Sequence, residues 1–503
     1  MLTSNLLTSE TSAMPTPLSI RSVVLEQAER ISQSSKAEIE RLIQESELKA
    51  SSLESQITAL IELRDRERAI SAALQYLISP IRTLPVELLV EIFSLAIRDD
   101  THIKDAFRIS QVCVDWRHVA HNTPRFWTGR ITVELDGYDS EQADGLRAWL
   151  ARSATLPVPV FFRVTRDYSH RIPEEILAIS HRWLSLRLHG WLVQVPMSLV
   201  RRVAECRLDS LEELHLGTID QEVSNFGHNT IPSFYTAPRL RKLTMSDFNS
   251  PQVLMPWAQL ADLSFDFQSP DTALNILAQC TGLVKASIQT IGWHVLPEPR
   301  PDVLPLNHLH SLSVTFKFSG SPTHVVPFFH RLSAPVLEDI CLDFGDIVPQ
   351  GVVHWNEAHF TAFLLRSPNI TRLELRDSYL TSEDLRAVLR HVPSLTKLEL
   401  AYPQDGCDDA FINALKYTDG VDPFVPRLHS LLLEGIDENL FTEELLAGMI
   451  ASRWWTDNEL ASRTVAPVVS RWKLVQLRHK FSEDFLGIVE DLRRNGLNIQ
   501  FLT

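Results

Sequence analysis

The residues most able to do chemistry in this sequence are its cysteines and two neighbouring histidines. The five cysteines are Cys113, Cys206, Cys280, Cys341 and Cys407. Their spacing shows no CxxC pair, which disfavours a zinc site, and Cys113 lies in an apolar helical pattern where cysteine is usually an inert small side chain. His118 and His121 are three residues apart, but no third ligand follows at a metal-binding spacing. We therefore predict no catalytic cysteine and no metal site.

Motifs typical of common enzyme classes are absent from the sequence. It contains no GxGxxG, GxxxxGK[ST], HExxH or GxSxG. These patterns supply phosphate cradles, zinc ligands and activated serines, so their absence disfavours nucleotide-dependent, zinc-protease and hydrolase chemistry. We accordingly predict that the protein is not an enzyme and needs no cofactor.

Composition and charge narrow the classes of partner. The 503 residues carry 48 Lys and Arg against 63 Asp and Glu, a net charge of −15, which disfavours a binder of nucleic-acid phosphates. No run of 18 apolar residues is present, so we expect no membrane span. The amino terminus lacks the pattern of a signal peptide, and the odd number of cysteines disfavours a disulfide framework. We predict a cytoplasmic or nuclear protein.

Segment 18–79 contains no proline and no glycine and is rich in helix-forming residues, which predicts one long helix after a disordered tail, 1–17. Apolar residues recur on two heptad series, Ile39, Leu53, Leu60 and Leu74, and Leu42, Leu63, Ile70 and Leu77. Polar residues interrupt both series at Ser46, Lys49, Gln56 and Glu67. Two interpretations stay open: a coiled-coil homodimer, or a helix that packs on its own chain.

Segment 80–128 predicts a small helical module. Pro85 and Glu87 suit the first turn of a helix that runs to about Ile97. A second helix is predicted from about Ala106 to Ala120, after an Asp105 cap. A core of about 45 residues is hard to stabilise alone, so we expect a binding partner to stabilise this module.

The runs LPVELLVEIF, VCVDWRHVA and TPRFW in this module resemble the F-box pattern, most similar to that of fungal F-box proteins. This resemblance implies a module that binds a Skp-type adaptor, which connects it to a cullin-based ubiquitin ligase. The implied adaptor-binding residues are Leu84, Pro85, Leu88, Ile92, Phe93, Val112, Cys113 and Trp116. The alternative is that they fill the core of a helical hairpin, where we place Val112 and Trp116 first.

A short pattern, Lxx(L/I/A)x(L/I/V/M/F), returns in segment 129–503. Nine copies begin at Leu211, Leu240, Leu260, Leu283, Leu309, Leu337, Ile370, Leu395 and Leu428. Their spacing averages about 27 residues, in the leucine-rich-repeat range. Helix-like patterns between the copies predict one strand and one helix per repeat. The fold class we predict is α/β: a long N-terminal helix, a small all-α F-box, then an irregular leucine-rich-repeat-like α/β solenoid.

Side chains between the leucines of each copy are predicted to point out of the sheet. Arg372, Arg376 and Lys397 are such positions, and together they are candidates for binding an acidic or phosphorylated segment of a protein target. The alternative is a solvated face on which these cations pair with Glu374 and Glu399.

These observations lead to one functional hypothesis and one alternative. The F-box resemblance followed by a repeat array implies the substrate-recognition subunit of a Skp–cullin–F-box ubiquitin ligase, with an unidentified protein substrate on the repeats. The alternative is a non-catalytic repeat scaffold that recruits partners without ubiquitin transfer.

Overall fold

The computed structural model describes the chain in segments. These are residues 22, 25, 36–99, 101–135, 140–165, 174–190, 193–220, 231–246, 253–266, 269–298, 302–317, 323–345, 353–354, 357–463 and 467–501. The chain forms two compact units, Met1–Ile92 and Phe93–Thr503. Both helices and a large parallel sheet are present, so the predicted α/β class is confirmed. The predicted tail, 1–17, lies outside the described residues.

The first unit is dominated by one helix, α1, Lys36–Leu77. At 1.5 Å per residue its 42 residues extend over about 63 Å. None of its side chains is buried, and pairs such as Lys49–Glu45, 2.9 Å apart, join successive turns. The predicted long helix is confirmed over these residues. It ends shortly before a 3₁₀ turn, Pro80–Thr83.

Helix α2, Val86–Ala96, begins where the sequence predicts. The carbonyl of Pro85 accepts hydrogen bonds from the amides of Leu88 and Leu89 at 3.1 Å, so Pro85 opens the helix without losing an internal bond. Glu87 lies in the first turn, where a negative charge is favourable. The helix crosses the boundary between the two units.

The predicted single helix from Ala106 to Ala120 is wrong, because two helices occupy this stretch: α3, His102–Val112, and α4, Val114–His121. Cys113 between them is extended, with φ −157°, and its Sγ accepts a hydrogen bond from the Trp116 amide. This cap satisfies an amide that the first turn of α4 would leave unpaired. Asp105 is no cap; it is buried within α3 and accepts a hydrogen bond from the Thr101 hydroxyl.

Within its described residues, the second unit contains a sheet of fourteen parallel strands in chain order. They are β1 Ile131–Glu134, β2 Val158–Val164, β3 Trp183–Gly190, β4 Glu213–Leu216, β5 Lys242–Met245, β6 Asp262–Asp266, β7 Lys285–Thr290, β8 Ser311–Phe316, β9 Asp339–Asp343, β10 Arg372–Arg376, β11 Lys397–Ala401, β12 Ser430–Glu434, β13 Leu474–Arg478 and β14 Ile499–Phe501. Each of the nine sequence copies contains one strand, from β4 to β12. Every neighbouring pair is parallel, as strand-by-strand repetition requires.

Helices connect most of these strands. They are α5 Ser140–Arg152, α6 Glu174–Leu177, α7 Met197–Ala204, α8 Pro270–Leu277, α9 Val326–His330, α10 Glu357–Leu365, α11 Ser382–Arg390, α12 Asp409–Leu415, α13 Glu443–Ser452, α14 Asp457–Ser462 and α15 Glu483–Arg494. Further 3₁₀ turns are Pro124–Trp127, Ser180–Arg182 and Trp257–Gln259. Two-residue strands pair as Val195–Pro196 with Ile219–Asp220, Leu304–Pro305 with Leu332–Ser333, and Thr323–His324 with Val353–His354.

The expectation of one helix per repeat is wrong for part of the array. Within the described residues, no α-helix joins β4 to β5, β5 to β6, or β7 to β8. The β5–β6 connection holds only a 3₁₀ turn, because the two copies begin just 20 residues apart. Pro297 and Pro305 interrupt the β7–β8 connection, since proline breaks a helix interior.

The core is built from the leucine positions of the copies. The register aligns Leu214, Leu243 and Leu263 on neighbouring strands, and all three are buried. Buried arginines join adjacent repeats: Arg182 donates to the Leu156 carbonyl at 2.9 Å and 3.1 Å and to the Ser153 hydroxyl at 2.7 Å. One sheet face is therefore packed, and the opposite face, here called the open face, carries the side chains between the leucines.

Candidate interaction surfaces

Four of the residues expected to bind an adaptor lie in the first unit. Leu84 is half-buried and Pro85 is exposed at the start of α2. Leu88, 51% exposed, and Ile92 follow one helical turn apart, and both present aliphatic side chains to solvent. Exposed aliphatic side chains on one helix face are typical of an interface.

The other four expected residues lie in the second unit and differ in exposure. Phe93 is a core residue, 1% exposed, with its ring 4.6 Å from Trp116 and 6.2 Å from Phe126. Trp116 and Cys113 are half-buried. Val112 is exposed, so the expectation that it fills the core is wrong. For Phe93 the arrangement matches the alternative interpretation, in which these residues fill a helical core. Adaptor binding by the exposed members stays a prediction.

Sequence reasoning missed two exposed apolar residues near this motif. Leu95 in α2 is 86% exposed, and Val114 at the start of α4 is 74% exposed. Leu95 follows Ile92 by three residues, so extending the helical face by one turn would have found it. The exposure of Val114 could not be predicted from helical spacing, because Val114 begins a new helix after the break at Cys113.

The end of this helical motif is packed against the start of the sheet region. Trp127 is fully buried and donates a hydrogen bond from Nε1 to the Ala120 carbonyl at 2.7 Å. Its ring lies 5.2 Å from that of Trp149 in α5 and 5.3 Å from that of Phe107 in α3. Such aromatic contacts bury large areas, so α3, α4 and α5 are held together within one unit.

Residues 81–130 match the family model of the F-box-like domain. This match confirms the F-box resemblance over these residues. No curated protein matches the chain. Among solved structures, a protein from Bacteroides fragilis is similar at 13% identity over 60% of this chain and 69% of that chain, with a TM-score of 0.28. The fungal type and the leucine-rich-repeat character stay predictions.

Burial raises the pKa of several cysteines in the described segments. Burial raises the pKa of Cys280 and of Cys407 to about 12, and burial with the Glu374 charge raises that of Cys341 to about 11. These thiols stay protonated at neutral pH, whereas the thiolate is the nucleophile. His118 lies 3.1 Å from the Asn122 amide. In the segments that the structure describes, no three metal-binding side chains converge, and no helix could cross a membrane.

The predicted target-binding cations lie on the open face, each beside a carboxylate. Arg372 is 3.6 Å from Asp339 on the neighbouring strand. Arg376 and Lys397 form ion pairs within their own strands, with Glu374 and Glu399. This pairing is what the alternative of a solvated face predicts, except that two of the pairs run along a strand instead of across strands. Target binding at these residues stays a prediction.

Proposed function

We propose that this protein is the substrate-recognition subunit of a Skp–cullin–F-box ubiquitin ligase of the cytoplasm or nucleus. In this proposal the F-box-like domain binds a Skp-type adaptor, and through it a cullin, while the repeat region binds a protein target. The protein itself catalyses nothing. The observation that carries the proposal is the family match at residues 81–130, within which α2 exposes Leu88, Ile92 and Leu95.

The packing at Trp127 supports a mechanism based on proximity. A receptor of this kind raises the local concentration of a target beside the transferring enzyme, which converts an encounter in solution into an almost intramolecular step. The gain depends on a short, stiff connection between adaptor and target. Trp127 and Trp149 tie the later helices of the F-box-like domain to the first strands of the sheet.

The sheet region supports the second half of the proposal. We assign it to an irregular leucine-rich-repeat-like array, because nine copies of one pattern each place a strand in a single parallel sheet. Repeats of this kind stack into an extended surface, and its size suits a protein segment better than a small molecule. The open face carries polar and charged side chains on nearly every strand.

The test is binding of the purified full chain to a Skp-type adaptor by isothermal titration calorimetry. Replacing Leu88 and Ile92 by Asp should weaken binding by more than about 30-fold, as loss of a hot spot worth 2 kcal/mol does. Ile488→Asp is the matched control, since Ile488 is an exposed residue of α15 outside the F-box-like domain. Absence of micromolar binding by the unaltered chain contradicts the proposal.

A second candidate, a scaffold that acts without ubiquitin transfer, is favoured by α1. All apolar residues of its second heptad series are exposed, as are Leu53, Leu60 and Leu74 of the first. A homodimer through α1 would cover them. Analytical ultracentrifugation tests this: Leu53→Glu with Leu60→Glu should produce monomers, and Ser51→Glu with Ser55→Glu, off the heptad series, should not. A reconstituted ubiquitination assay separates the candidates, because a scaffold promotes no transfer.

A further inference from the structure

Cations gather on the open face at the N-terminal strands. Arg130 precedes β1, Arg163 lies in β2 and Arg187 in β3, and their guanidinium carbons are 5.6, 5.7 and 6.0 Å from the centre of the Phe161 ring. Phe161 is only 9% exposed although it lies on the open face. Cations over an aromatic face are attracted by the ring quadrupole, so Phe161 holds the three guanidinium groups together.

Two of the three guanidinium groups around Phe161 have no carboxylate partner within the described segments. Arg163 pairs with Glu134 at 2.6 Å, and Lys242 lies 3.7 Å from Glu213. Neither Arg130 nor Arg187 has a carboxylate partner among the residues that the structure places, and both are exposed. Their hydrogen-bond donors are therefore available to a ligand.

The strand register explains why Arg187 lacks a carboxylate. Its cross-strand neighbours are Phe161 on β2 and His215 on β4. Burial, together with the charges of Arg187 and His189, lowers the pKa of His215 to about 4, so this imidazole is neutral at pH 7. Neither neighbour neutralises Arg187.

A cavity of about 180 Å³ lies on the open face here, and its lining includes Phe161 and His215. Arg130, Arg187 and Lys242 contribute three positive charges and Glu213 one negative charge, which leaves a net charge of +2 with His215 neutral. The whole protein carries −15. A guanidinium presents donors in a planar fork that matches carboxylate and phosphate oxygens, so this cavity suits an oxyanion.

A row of hydroxyl side chains continues from the cavity across the sheet. The register aligns His215 with Thr244, Ser264, Ser287 and Ser313 on successive strands, and all are half-buried. From Arg187 on β3 to Ser313 on β8 there are five strand gaps of about 4.8 Å each, or about 24 Å. An extended peptide of about seven residues spans that distance. Small hydroxyl side chains leave room for such a segment and can hydrogen-bond to it.

We propose that the cavity around Phe161 binds a carboxylate or phosphate group on a peptide segment of the protein target, and that the hydroxyl row holds the residues that follow. This inference rests on the proposed function in one respect: the segment belongs to the target of the repeat region. A nucleic acid offers phosphates too, but the net charge of −15 opposes it.

The test uses the immobilised full chain and three degenerate peptide libraries, identical except for a central phosphoserine, glutamate or serine. The phosphoserine library, the glutamate library or both should be retained at least about tenfold more than the serine library, as charge-assisted hydrogen bonds provide. Which of the two libraries binds identifies the oxyanion.

Arg130→Ala and Arg187→Ala should each reduce retention of the bound library about tenfold. Arg494→Ala, in α15 and paired with Asp491, is the matched control and should change retention less than twofold.

Three results would overturn the inference: equal retention of all libraries, unchanged retention by both alanine variants, or displacement of the peptides by a single-stranded oligonucleotide at lower concentration. Circular dichroism checks that the variants fold. Adaptor binding is measured on the same proteins. Oxyanion retention without adaptor binding contradicts the proposed function alone, and adaptor binding without oxyanion selectivity contradicts this inference alone.

Discussion

Two groups of cations on the open face differ in whether carboxylates lie beside them. In the N-terminal group around Phe161, Arg130 and Arg187 have no carboxylate partner in the described chain, whereas Arg163 pairs with Glu134. The C-terminal group, Arg372, Arg376 and Lys397, has a carboxylate beside every member. The number of cations is similar, so charge count alone does not make a binding surface. The difference lies in what the parallel register and the strand alternation place beside each cation.

Strand composition causes this difference. In β10 and β11 the open-face positions alternate between basic and acidic residues, so Glu374 and Glu399 neutralise their neighbours. The open-face positions of β3 hold no acid, and the strands on either side offer a phenyl ring and a neutral imidazole at the position of Arg187. Arg187 is available to a ligand because neither of the two positions directly across from it carries a carboxylate.

The largest effect on the free energy of unfolding is expected for a buried arginine that donates hydrogen bonds to uncharged oxygens. Arg182, five residues before Arg187, is buried and hydrogen-bonded to Leu156 and Ser153. Arg182→Met leaves these buried acceptors without donors and should lower the free energy of unfolding by about 2–4 kcal/mol. Arg187→Met should change it by less than about 0.5 kcal/mol. Urea unfolding measures both, and equal losses would remove the distinction between them.

A second prediction converts the C-terminal group into a binding group. Glu374→Gln with Glu399→Gln removes the partners of Arg376 and Lys397. Retention of the phosphoserine or glutamate library should rise about tenfold, the value of one charge-assisted contact. Glu213→Gln, which releases only Lys242, should raise retention a few-fold at most, because Arg130 and Arg187 are already available. No gain in the double variant would show that carboxylate pairing does not decide binding.

The third prediction concerns the neutral neighbour of Arg187. The pKa of His215 is about 4, first because of burial and second because of the Arg187 charge. Arg187→Ala should therefore raise this pKa, by less than about one pH unit because burial remains. Titration of the His215 imidazole by NMR measures it, with His215→Gln for assignment. A pKa near 6.5 in the unaltered protein contradicts the prediction.

The same lowered pKa predicts a pH effect on stability. Between pH 6.5 and 4 the unfolded chain binds a proton at His215 that the folded protein does not, so stability falls as the pH is lowered through this range. Above pH 6.5 the imidazole is neutral in both states and contributes nothing. His215→Gln should reduce the slope of unfolding free energy against pH by at most about 1.4 kcal/mol per pH unit.

The smallest effect is expected for the C-terminal ion pairs. Arg372 and Asp339 are both largely exposed, so their attraction is screened by water. Arg372→Ala should change the free energy of unfolding by less than about 1 kcal/mol in urea unfolding. A loss as large as that of Arg182→Met would make this group structural instead of solvated.

Sequence reasoning found the elements whose signals are local. The proline before α2, the absence of glycine and proline in α1 and the leucine spacing of the nine copies each predicted an element that the structure contains. It failed at Cys113, where apolar spacing continues through a helix break, and at connections where helices were expected. Periodicity reports which side chains are buried, and it does not report that a side chain caps its own backbone.

The sequence by itself determined the F-box-like segment, the strand positions and which side chains of each copy point away from the core, because alternation along a strand is a local property. Only the tertiary structure decided which side chains lie across neighbouring strands from each cation. Arg187 and Phe161 are 26 residues apart in the chain, yet they are directly opposite each other on adjacent strands. Arg187 and His215 are 28 residues apart and are likewise opposite each other on adjacent strands. The environment of a charge depends on strands that are close in space and far apart in sequence.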